Sequence, residues 1–156
     1  MIGRCTCGEI MYRLTNAPLF VHACHCTWCQ RETGSAFALN AMIETDCIDL
    51  LQGAPEFIAT PSNSGKGQEV ARCPRCAVAV WSHYAGAGRA VAFVRVGTLE
   101  QPGLCPPDIH IFTTTKLPWV NLDGAVPVVP EFYDRKLYWP EASLARREKL
   151  LARGRG

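Results

Sequence analysis

The chain has 156 residues and a mass of 17.2 kDa, the size of one domain, with 48% hydrophobic and 19% charged residues. That composition and a mean hydropathy of +0.02 exclude a wholly disordered chain or a fibre, and no apolar run reaches the roughly 18–20 residues of a membrane helix. The net charge of +2 is uneven: residues 1–134 hold 9 basic and 12 acidic side chains and residues 135–156 hold 7 and 2, so a body at −3 carries a tail at +5. No basic stripe with interleaved aromatics runs through the body, which argues against a nucleic-acid surface, and the tail reads as a solvated terminal helix. The opening Met1-Ile2-Gly3-Arg4-Cys5 lacks the apolar core of a signal peptide, so a cytoplasmic, reducing location is expected.

In chain order, Glu9 to Leu14 alternates, with Ile10, Tyr12 and Leu14 on one face of a strand. Thr27 to Thr33 suggests a short helix that Gly34 ends. Phe37, Leu39, Ala41 and Ile43 form a second alternating set. Pro61 to Gly67 has nothing apolar to bury and reads as a hairpin tip. Val78 to Trp81 and Val91 to Val96 are β-branched or aromatic runs between turns, and Asp108 to Thr115 closes the series of strands. After Pro140, Glu141 to Arg153 reads as a helix stopped at Gly154, with a partial apolar stripe of Leu144, Leu150 and Leu151 that implies loose packing. Short strands with little helix between them predict an all-β fold of antiparallel strands with a short C-terminal helix. A β domain over 1–134 and a basic helical extension over 135–156 follow from this reading.

Nine cysteines are the abnormal feature. An odd count with tight spacings in a reducing compartment points to metal binding rather than disulfides. Cys47 and Cys105 stand alone and read as buried thiols. The other seven form three groups: Cys5-Thr6-Cys7, Cys24-His25-Cys26-Thr27-Trp28-Cys29 and Cys73-Pro74-Arg75-Cys76. A strand would aim Cys5 and Cys7 to one side, and Pro74 suits a tight turn that aims Cys73 and Cys76 at one ion. Together these four thiolates complete the closed tetrahedron of a structural zinc. Cys24, Cys26 and Cys29 then supply three ligands, the number that leaves a catalytic zinc one open position. Alternatives stay open: the trio joins the structural site, or His25, Cys47 or Cys105 closes it, or an iron–sulfur cluster binds. His25, between two ligands on a strand-like stretch, is expected to face away from them. Three thiolates would bring a zinc centre to a formal −1, a poor Lewis acid for hydrolysis, so exchange with a substrate thiol suits it better. No paired carboxylates, no Ser-His-Asp pattern and no phosphate-binding glycine loop occur.

These residues resemble the glutathione-dependent formaldehyde-activating enzyme family. The likeness rests on Gly3-Arg4-Cys5-Thr6-Cys7-Gly8, on Cys24-His25-Cys26-Thr27-Trp28-Cys29-Gln30-Arg31, on Gly34-Ser35-Ala36-Phe37 and on Arg72-Cys73-Pro74-Arg75-Cys76. Val96-Gly97-Thr98-Leu99 and His110-Ile111-Phe112, followed by Lys116 and Trp119, extend it over roughly residues 3–125. The resemblance implies an all-β, zinc-containing β-tent fold shared with a centromere-associated branch. It implies a structural zinc on Cys5, Cys7, Cys73 and Cys76 and a catalytic zinc on Cys24, Cys26 and Cys29, two per chain. The implied reaction joins formaldehyde to glutathione, a carbon–sulfur lyase chemistry in its reverse sense. Lys116, Ser35 and Trp28 are the candidates for substrate contact, Lys116 through a glutathione carboxylate. The rival expectation is a zinc-stabilised binding protein whose second metal site is vestigial. Ala77 departs from the pattern, since such knuckles carry glycine there.

Overall fold

In the computed structural model, residues 1–86 and 88–153 are described; they form ten strands in two sheets and three short helices. The smaller sheet is antiparallel, in the order β1 (Ile2–Arg4), β2 (Met11–Leu14) and β5 (Ile48–Gln52). The larger sheet contains β3 (Phe20–Cys24), β4 (Ala38–Glu44), β6 (Glu56–Thr60), β7 (Gln68–Arg72), β8 (Ala79–Tyr84), β9 (Val91–Arg95) and β10 (Ile109–Ile111). Its spatial order is β10-β3-β4-β9-β8-β7-β6. The mostly β class is therefore as expected, with one correction: β10 lies parallel to β3, with Ile109 opposite His22 and Ile111 opposite Cys24. After β9 the chain crosses over through 3-10 turns, so it returns in the direction of β3 rather than against it. The carboxylate of Asp108 fixes the arrival by accepting the Val21 N–H at 2.7 Å.

Alternation along the central strands divides the interior in two. Val21, Ala41, Ile43, Ala92 and Val94 face the small sheet and pack with Ile10, Tyr12, Leu14, Val80 and Trp81. Phe20, Cys24, Met42, Val91, Ile109 and Ile111 face the other way, into a second core. All five residues of β3 are buried, so this strand has no solvent-exposed face and no clean alternation to betray it in the sequence.

The second core is closed by the C-terminal segment. Residues 127–131 run beside β10, with Val129 N–H donating to His110 C=O at 2.9 Å. Phe132 and Tyr133 follow, then α2 (Arg135–Tyr138), a four-residue helix absent from the sequence expectation, and α3 (Glu141–Arg153). The stop expected at Gly154 lies outside the described residues. Trp139 stacks on Phe20 at 5.6 Å between centroids, and Leu144 and Leu150 join the same cluster. The partial stripe of α3 is supplemented by an ion pair: Arg146 grips both oxygens of Glu44 at 2.9 and 2.5 Å. The helix is pinned rather than loosely laid on.

Candidate active site

The first cysteine group joins the two sheets. Cys5 and Cys7 sit in the turn between β1 and β2, not on a strand as expected; the turn closes with Gly8 N–H donating to Cys5 C=O at 3.1 Å. Cys73 and Cys76 sit in the turn between β7 and β8, where Cys73 N–H donates to Val78 C=O at 3.0 Å and Ala77 N–H to Cys73 C=O at 2.9 Å. The four sulfurs lie within 4.8 Å of one another, with Cys7 Sγ 3.6 Å from both Cys5 Sγ and Cys73 Sγ. A tetrahedron of Zn–S bonds near 2.3 Å has edges of about 3.8 Å. Backbone N–H groups already point at the sulfurs, Ile10 at Cys5 and Cys76 at Cys73. N–H donation from Val78, then from Cys7, lowers the Cys76 thiol to about 6. This donor set fits a zinc ion.

Ala77 in this turn takes φ +58°. The left-handed conformation costs a residue with a Cβ roughly 1–2 kcal/mol, and glycine avoids that at some cost in chain entropy. Ala77→Gly is therefore expected to raise stability by about 0.5–1 kcal/mol. Denaturant melts check this; an unchanged midpoint would show that the turn relaxes around alanine.

The second group stands at the junction of β3 and α1 (Thr27–Thr33). Cys24 ends the strand, Cys26 caps the helix by accepting the Cys29 N–H on its sulfur at 3.4 Å, and Cys29 lies one turn in. Gly34 ends the helix at φ +63°, as expected. The three sulfurs lie within 4.8 Å of one another and all three residues are buried. Hydrogen bonds from the Cys24 and Cys29 thiols hold Cys26 at about 3, whereas the hydrogen bond to Cys26 drives Cys24 far upward. For Cys29 the Cys24 contact lowers the thiol, but Cys26 and burial together carry it up to about 11. The cluster thus accommodates one negative charge readily and three only with a cation among them. Three thiols so placed fit a metal with protein ligands on one side.

Packing keeps Cys47, Cys105 and His25 away from the three sulfurs. Cys47 and Cys105 pack with the first core, Cys105 S–H meeting Met1 Sδ at 3.5 Å. His25 turns its Nε2 to His110 Nδ1 at 2.9 Å and its ring to Phe37. None of the three belongs to the sulfur cluster. All nine cysteines are free of disulfides.

Beside Cys24, Cys26 and Cys29 lies a cavity of about 480 Å³, within the usual range for small ligands. Trp28, one of the three residues expected to meet substrate, lines it. The other two do not. The Lys116 ammonium donates to Leu117 C=O at 3.0 Å and Val120 C=O at 2.7 Å, closing its own turn, and Ser35 is exposed beyond the helix end. The cations of the lining are Lys66, from the tip between β6 and β7, and Arg135 and Arg147, from α2 and α3.

Two polar residues that the sequence reading passed over also line the cavity, His22 and Asn40, opposite one another on β3 and β4 and on the same face as Cys24. The buried Arg95 guanidinium donates to Asn40 Oδ1. Guanidinium only donates, so the Asn40 oxygen must face it and the NH₂ group is left for another acceptor. A polar residue in the centre of the apolar run from 38 to 43 is the signal that could have identified Asn40. His22 Nε2 lies 2.5 Å from Tyr133 Oη, which also accepts Trp139 Nε1–H at 2.7 Å. Burial lowers His22 to about 3, so it is neutral.

A family model described as glutathione-dependent formaldehyde-activating enzyme matches residues 1–115. The chain belongs to this family. A comparison with curated proteins gave no match. Among solved structures, a Rhodobacter sphaeroides protein is similar at 20% identity and a TM-score of 0.50, over 83% of this chain and 100% of its own. At that identity the likeness speaks for the fold. The family match includes all seven clustered cysteines, together with His22 and Asn40, whereas Phe132, Arg135 and Arg147 lie beyond it. Among the described residues no helix is long and apolar enough to cross a membrane.

Proposed function

We propose that this protein joins formaldehyde to glutathione in the cavity beside Cys24, Cys26 and Cys29, giving S-hydroxymethylglutathione, and cleaves the same carbon–sulfur bond in reverse. The observation that carries the reading is three buried sulfurs within 4.8 Å of one another at the wall of a small-ligand cavity. Family membership supports glutathione and formaldehyde as the reactants. A binding protein with a vestigial second site is not favoured, because these sulfurs border a cavity rather than solid core.

Two zinc ions per chain are part of the proposal, one on the four-cysteine cluster and one on the three-cysteine cluster. Zinc at the latter supplies the positive charge that lets sulfur stay deprotonated near neutral pH, where a free thiol with a pKa of about 8.5 is mostly protonated. The chain's own residues do the rest. Trp28, Phe93 and Phe112 wall the cavity against water. The substrate sulfur supplies the electron pair of the new bond to the carbonyl carbon. The C=O π pair moves onto oxygen, which takes up a proton equivalent to the one the thiol released. Asn40, its carboxamide oriented by Arg95, donates an N–H to that oxygen as charge gathers there. The uncatalysed addition is already easy, and a tenfold gain needs only about 1.4 kcal/mol.

Exchange NMR on glutathione with formaldehyde tests this directly. Zinc-loaded protein is expected to speed formation and breakdown of the adduct, and Cys26→Ser to remove the acceleration. If the loaded protein neither binds glutathione nor changes the exchange rate, the enzyme reading fails for this substrate.

A further inference from the structure

Arg135 and Arg147 lie past the residues that the family model matches, and both line the cavity beside the three sulfurs. Arginines on a surface ordinarily find carboxylates. Here the ion pairs among the described residues engage Arg4, Arg72, Arg89, Arg146 and Arg153, and neither cavity arginine. Arg135 is half-buried, stacked over the rings of Phe132 at 5.3 Å and Trp139 at 5.9 Å, and its Nε is buried with no partner. Stacking fixes the plane of a guanidinium while leaving its N–H edge free. Burial, and then the nearby charge of Arg147, disfavour the cationic form of Arg135. Two like charges beside each other lower the stability of the free protein, and a ligand anion would relieve that repulsion.

The rest of the lining has the same sign. Lys66 adds a third cation from the β6–β7 tip, and among the described residues the lining of the cavity includes no Asp or Glu. The body of the chain is at −3, so this patch is produced by folding the basic C-terminal segment back over the acidic β domain. A zinc ion with three thiolates would carry a formal −1, which repels an anionic substrate unless cations stand nearby.

We propose that Arg135 and Arg147 form a carboxylate clamp that selects thiols bearing carboxylates, which makes the C-terminal segment the specificity element of the site. The clamp rests on the function proposed above for its choice of thiol. Its anion binding is separable from the chemistry. A guanidinium–carboxylate contact is stronger than a neutral hydrogen bond and gives geometric selection, since the fork matches the two oxygens.

Two probes separate the terms. S-Methylglutathione keeps both carboxylates and has no free thiol; cysteamine has the thiol and no carboxylate. Calorimetry on the full chain is expected to show S-methylglutathione binding that weakens with salt. Its affinity should fall about 10–100-fold in Arg135→Met/Arg147→Met, as for loss of charged hydrogen bonds. Cysteamine binding should be unchanged. Because Arg135 also stacks on Phe132 and Trp139, the single variant Arg147→Gln provides the same test without disturbing α2, with an expected loss of about tenfold. Absence of S-methylglutathione binding to the wild-type chain, equal affinity in the variants, or a matching loss for cysteamine would each overturn the clamp. Faster adduct exchange without the arginine effect would leave the chemistry standing and remove the clamp. Arginine-dependent S-methylglutathione binding without faster exchange would do the reverse.

Discussion

Cys73→Ser is expected to unfold the domain, whereas Cys26→Ser is expected to leave it folded and inactive. Cys73 stands in the β7–β8 turn of the large sheet, and Cys5 and Cys7 in the β1–β2 turn of the small one. An ion held by these sulfurs is therefore a bolt between the sheets. Zinc in comparable small sites supplies on the order of 10 kcal/mol of folding free energy, against a total stability of about 5–15 kcal/mol for a domain. A fall of more than about 10 °C in melting temperature, or loss of a cooperative transition, should follow. Cys26 differs in kind. Its sulfur caps α1, and serine is among the best capping residues, so the helix keeps its first hydrogen bond. Its melting temperature should move by no more than about 3 °C. Elemental analysis should find two zinc ions in the wild-type protein and one in Cys26→Ser. Equal thermal losses in the two variants would overturn this division.

Gly3→Ala is expected to cost about 3 kcal/mol, a large effect for one methyl group. Gly3 is opposite Tyr12 in the β1–β2 pair, and a Cβ there would stand 2.3 Å from Tyr12 Cζ and 2.5 Å from its Oη. The ring has nowhere to go. Tyr12 is fully buried, meets Trp81 edge-on at 5.5 Å and has its hydroxyl 2.6 Å from Thr98 Oγ1. Moving it breaks that hydrogen bond and opens the first core beneath the sulfur cluster of Cys5 and Cys73. Denaturant unfolding measures the loss. A change below about 1 kcal/mol would show that the smaller sheet shifts as a body instead.

Much of the fold was legible because its signals are local. Alternation exposed β2 and β4, and the end of α1 followed from Gly34, where a left-handed residue is needed. β3 was missed because a strand buried on both faces carries no period, and β6 because its run Phe57-Ile58-Ala59 is apolar on both sides and does not alternate, though nearly all of it is exposed. The candidate site divides in the same way. The cysteine spacings announced clusters, since Cys-x-x-Cys needs only one turn of backbone to aim two sulfurs together. Lys116 looked like a substrate contact because a lysine near the site is a cation in search of an anion. Two carbonyls of its own turn occupy it instead.

By itself, then, the sequence determined the mostly β class, the clustered thiols and the bounds of α1, each a property of a few neighbouring residues. The tertiary structure alone decided the parallel seat of β10, the orientation of Asn40 by Arg95 and the return of Lys66, Arg135 and Arg147 to one cavity. These depend on sheet register and on which faces pack together, and a side chain's neighbours across a sheet or under a returning helix leave no trace in its local pattern.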